Sequence, residues 1–185
     1  MPEIFVDYLR RLNTTTGTYV QKVPDPAFVE AAQIAATVSL GKKFVPGDFL
    51  ASEVLEVLSK EGFESQAQLL LDQLVGAGVI ERRAPGGYVL LRFSLDPAAE
   101  YLAAIRQIIK LRSADSKRWR GYLATLRKVD GYPSAIEGYL NAFANCYGSL
   151  RQELQLLEVS FPWEEDEWPQ QTPSHSSTFE QRFPY

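Results

Sequence analysis

The chain has 185 residues, 45% hydrophobic and 12% aromatic, enough apolar surface for a real core in one domain or two small ones. Its formal net charge of −4 excludes a global basic field that would draw it to nucleic acid or anionic lipid. A single cysteine, Cys146, excludes an internal disulfide and fits a reducing compartment.

The start, Met1 to Tyr8, carries no basic n-region and no long apolar run, so it does not read as a secretory leader. No stretch approaches the roughly 20 apolar residues that span a bilayer. The expectation is a cytoplasmic protein without a membrane role.

In chain order, Pro2 to Asn13 places Ile4, Phe5, Tyr8, Leu9 and Leu12 at helical spacing, and Thr14–Thr18 breaks it. Asp25-Pro26 opens a second helix, an acidic cap followed by a proline set for the first helical position, running to Leu40 before Gly41. Pro46 to Lys60 and Ser65 to Ala77 read as two more, ended by Gly62 and by Gly76 or Gly78. Val79–Arg83 and Tyr88–Phe93 flank Ala84-Pro85-Gly86-Gly87, two short β-runs about a tight turn, hence a hairpin. Three helices and a hairpin over residues 26–95 are the order of a winged helix, preceded by a lead helix and linker at 1–25.

Asp96-Pro97 then starts a further helix by the same cap-plus-proline logic, with Glu100 favoured in its first turns by the helix dipole. Helices over 97–111, 116–129 and 134–159 follow, with short links that favour antiparallel neighbours. Residues 96–160 are therefore expected as a small helical bundle or the start of an α-solenoid. From Phe161 the chain turns acidic, with Glu164-Glu165-Asp166-Glu167, then polar and proline-broken. Residues 161–185 are expected as a disordered tail. The fold class is mainly α.

Phe93 followed by Glu100-Tyr101-Leu102-Ala103-Ala104, a strand phenylalanine feeding a capped helix, resembles the end of the switch core in bacterial NACHT proteins, which are STAND-type signalling NTPases. Pro2–Asn13 is similar to the helix that precedes the winged helix there. The resemblance covers residues 2–109. It implies a signal-transduction module that passes a nucleotide-driven rotation onward. It also implies protein partners, an ATPase core or a sensor domain.

The departures from that family are specific. No Gly-x-x-x-x-Gly-Lys-Ser/Thr loop occurs, and Gly17-Thr18-Tyr19-Val20-Gln21-Lys22 lacks both the second glycine and the hydroxyl of a phosphate cradle. Where many relatives carry a histidine that touches the nucleotide, this chain has Ser94-Leu95-Asp96. The expectation is the C-terminal part of such an ATPase without its motor, as a fragment or a stand-alone derivative, and not an enzyme.

A winged helix also suggests DNA binding, with its third helix in the major groove. The positions expected to be exposed on that helix, Glu64, Ser65, Gln66, Gln68, Asp72 and Gln73, include no Lys or Arg to neutralise phosphate, and only Arg82, Arg83 and Arg92 lie near the wing. A nucleic-acid-binding transcriptional regulator is thus the alternative reading, disfavoured on charge. The stronger basic region runs from Arg106 to Lys128 and includes Lys110, Lys117, Arg118 and Arg120, with Trp119 and Tyr122 interleaved. Arg106, Lys110, Lys117, Arg118 and Arg120 are the expected partner contacts, with Tyr88 in the wing as a lesser one. The bland alternative for this face is a solvated surface docking the chain's own acids, Glu158 and Glu164 to Glu167.

No catalytic, cofactor or metal set is expected. His175 is the only histidine, and Cys146 lies among Phe143, Tyr147 and Leu150 as a core residue would.

Overall fold

The computed structural model describes residues 2–15, 23–83, 89–161 and 163. Helix α1 (Pro2–Thr15) buries Leu9 and stacks Phe5 on Tyr101, ring centroids 4.9 Å apart. Helix α2 (Asp25–Leu40) is central and buries Phe28, Ala31, Ala32, Ile34, Ala35 and Ala36 fully, too wide an apolar girth for a surface helix.

The chain next forms a two-residue strand, β1 (Phe49–Leu50), before helix α3 (Ala51–Leu58). The helix expected from Pro46 therefore starts five residues later. Phe49 and Leu50 pair with Leu91 and Leu90, and the Leu50 amide donates to Glu53 Oε2 at 2.9 Å, half of a capping box. A wide π turn, Ser59–Phe63, follows, with Gly62 at φ 95°, a conformation that only glycine adopts at no steric cost. Helix α4 (Ala67–Gly76) comes next.

Strands β2 (Ile80–Arg83) and β3 (Leu90–Phe93) pair antiparallel from Ile80↔Phe93 to Arg83↔Leu90. The sheet order is β1-β3-β2. Tyr88 and the turn residues 84–88 lie outside the described residues.

Strand β3 hands over through Ser94 and Leu95 to helix α5 (Asp96–Leu111), followed by α6 (Ser116–Leu126) and α7 (Glu137–Leu150). Two expected caps are corrected here. Leu95, not Asp96, holds the cap position of α5, and the Asp96 carboxylate accepts from Arg92 at 3.0 Å. Pro24, not Asp25, precedes α2, and Asp25 accepts from Asn13 Nδ2 at 2.6 Å. Both acids find a side-chain donor nearby, which competes with capping.

One contiguous apolar core runs from Leu9 through α2 and α5 to Phe143. Helix α5 is its spine, packed on α2 and on α7. At the second contact the Glu100 carboxyl lies over Gly138: a Cβ there would lie 2.6 Å from the Glu100 carboxyl carbon and would make that side chain move.

The last helix is shorter than expected and ends at Leu150, after which residues 151–161 turn back along it. The Tyr147 hydroxyl pins this return, donating to the Leu157 carbonyl and accepting from the Val159 amide at 3.1 Å. The boundary drawn at Phe161 is thereby corrected. Phe161 and Trp163 are buried, because two large rings lose more by exposure than two residues cost to order. The acidic run and His175 lie outside the described residues.

Candidate functional site

Helix α6 forms because Asp115 caps it, its carboxylate accepting from the Arg118 amide at 2.8 Å. Trp119, Leu123 and Leu126 turn inward at helical spacing. That phase leaves Lys117, Arg118 and Arg120 exposed, with Arg127 and Lys128 just past the helix end exposed as well. Arg120 Nε donates to the Ser116 carbonyl at 3.3 Å. Among the described residues no carboxylate forms an ion pair with Lys117, Arg118 or Arg120. Glu158 pairs with Arg151 at 3.1 Å, not with this face.

The interleaved aromatics do not serve that face. Trp119 is 1% exposed and meets Phe143 and Tyr147 edge-on at 6.3 and 5.7 Å. Tyr122 hydrogen-bonds the hydroxyl of Tyr139. Burial pushes the Tyr122 hydroxyl well above the ordinary range, and the Tyr139 hydroxyl and its charge add to that shift. A base-stacking platform needs open ring faces, so this face offers charge alone.

Two expected contacts behave differently from the rest. The Arg106 side chain is 7% exposed, its Nη2 2.8 Å from Glu61 Oε1, so it is an interior charge and not a surface contact. Lys110 Nζ reaches the same oxygen at 2.9 Å. The Lys110 hydrogen bond, with help from the Arg106 charge, holds the Glu61 carboxyl below its ordinary value against the opposing effect of burial. Glu61 was invisible to sequence reasoning because it lies 49 positions from Lys110 and on another element.

On the α4 and sheet face each arginine already has an acid. Arg82 pairs with Asp72 at 2.8 Å, and Arg92 with Asp96 at 3.0 Å. Asp48 sits 4.0 Å from Arg83 and 3.9 Å from Arg92. Gln73, expected to be exposed, is buried at 4%.

Among the described residues no group of His, Cys, Asp and Glu is placed to hold a metal ion, and no helix is long and apolar enough to cross a membrane. The Cys146 thiol is buried and pushed up to about 12 by desolvation. No family model, curated protein or solved structure matches this chain.

Proposed function

We propose that the chain is a non-catalytic docking and relay module of the kind found next to the ATPase core of NACHT-type signalling proteins. The order α2, β1, α3, α4, β2, β3 with β3 central supports reading residues 26–95 as a winged helix. The residues that carry the resemblance are packing residues: Phe93 lies 6.3 Å from Phe49, Tyr101 stacks on Phe5, and Leu102, Ala103 and Ala104 are buried. Tyr101 joins α5 to α1, and α5 packs along α2 on one side and α7 on the other. A rotation imposed on the winged helix would then reach the bundle without slack, since close-packed interiors transmit displacement.

The observation that carries the docking role is the uncompensated basic face of α6, centred on Arg118 and Arg120. It fits an acidic patch on a protein partner bearing the ATPase core or a sensor. The acids beside Arg82, Arg83 and Arg92 argue against the α4 and wing face as a phosphate reader, since phosphate neutralisation supplies most of the affinity for duplex DNA.

The test is a titration with duplex DNA at two salt concentrations, using wild type and the double variant Arg118→Ala, Arg120→Ala. The docking reading expects no tight binding at low salt. Tight binding that weakens steeply with salt and is lost in the variant would replace it with a nucleic-acid-binding regulator.

A further inference from the structure

Arg106 is buried on α5 and opens onto a cavity of about 530 Å³ bounded by α1, α2, the π turn and the end of α5. Arg10, Lys110 and Arg112 lie around it, with Asp25, Glu30 and Glu61. The guanidinium is poorly satisfied there. Its buried Nη2 is 2.8 Å from Glu61 Oε1 yet makes no aligned hydrogen bond, and Nη1 is 3.9 Å from Glu30. A guanidinium is a rigid planar fork that matches two oxygens of one group, and leaving a buried fork unmatched costs the desolvation of its donors. Here a single oxygen of Glu61 serves both Arg106 and Lys110.

Glu61 is the counter-ion that Arg106 and Lys110 share. It sits in the turn Ser59–Phe63 beside Gly62, whose φ of 95° breaks the helical path between α3 and α4. Glu30 is half-exposed, its carboxylate 3.9 Å from Arg106 Nη1.

We propose that this cavity binds a small oxyanion, a carboxylate or phosphate group of a small molecule, held across the Arg106 fork with Lys110 as the second cation. The ligand takes the place of Glu61 against Arg106. Bidentate Arg–carboxylate and Arg–phosphate pairs are among the strongest hydrogen-bonded contacts, a geometry that the one near oxygen of Glu61 does not give this fork. Displacing Glu61 also frees the turn between α3 and α4, which links the cavity to the three-helix unit.

The test titrates the full chain at low ionic strength with inorganic phosphate and, separately, with succinate, with sodium chloride as the ionic-strength control. The Arg106 Nε–Hε resonance and the thermal midpoint are read. The expected result is a saturable shift with one probe or both, tightened several-fold in Glu61→Gln and weakened roughly tenfold in Lys110→Gln, since a charge-assisted contact is lost. Lys110 is half-exposed, so its variant keeps the fold, which circular dichroism checks. Response to phosphate alone assigns a phosphate-bearing ligand, and response to succinate alone a carboxylate. No saturable shift with either probe, or equal affinity in all three proteins, overturns the proposal.

Discussion

Trp163 stacks on Phe161, ring centroids 4.9 Å apart and planes 7° from parallel. Both rings meet Phe143 edge-on, at 6.5 and 5.9 Å, and Phe161 also meets Tyr147 at 4.9 Å. The segment after α7 is thus part of the core. Phe161→Ala is expected to cost about 3–5 kcal/mol, the range for emptying a buried aromatic site. A urea denaturation midpoint within experimental error of wild type would show that these rings carry no stability.

Burial, and then the charge of Asp96 one turn earlier, push the Glu100 carboxyl above the ordinary glutamate value of 4.5. Below 4.5 the native and unfolded chains both keep this proton and nothing is lost. As pH rises from there through the native value, the unfolded chain releases it first, and stability falls. Glu100→Gln removes that loss, so its urea midpoint should gain on wild type as pH climbs through this window. A constant difference between the two proteins would contradict it. Glu61 acts in the opposite sense: held low above all by Lys110, it contributes stability above 4.5 that is lost as pH falls through its native value. Lys110→Gln should flatten the acid side of the profile.

Cys146 is buried, with its thiol pushed up to about 12. Reagents attack the thiolate, so the native thiol should resist a disulfide reagent and react fully once urea unfolds the chain. Rapid labelling of the folded protein would place the side chain outside the core.

Helix α5 meets α7 through a face on which Glu100 abuts Gly138 and the Tyr101 carbonyl accepts from the Cys146 thiol, and the fully buried Ala104 follows one turn later on that face. Ala104→Leu overfills this contact and should destabilise by about 1–3 kcal/mol. An unchanged thermal midpoint would mean that the two helices are not in close contact.

The helices were legible because their apolar residues recur at three and four positions, and the hairpin because two β-runs flank a proline-glycine turn. Strand β1 was not, since Phe49 and Leu50 are too short a run to carry a period and owe their strand state to Leu91 and Leu90 far along the chain. The Arg106 surroundings were hidden for the same reason. Its spacing from Lys110 reads as one basic helix face, and only tertiary packing brings Glu61 and Glu30 against it. Trp119 and Tyr122 were legible in two ways, as the apolar set of α6 with Leu123 and Leu126 and as aromatics between charges, and packing against Phe143 decides for the first.

Affinity capture from the native proteome with the full chain, comparing wild type with Arg118→Ala, Arg120→Ala at equal salt, tests the docking role of α6 most directly. The expected result is that wild type retains a protein carrying a phosphate-binding loop and the double variant releases it. Equal retention by both proteins, or retention of nucleic acid alone, would contradict the account.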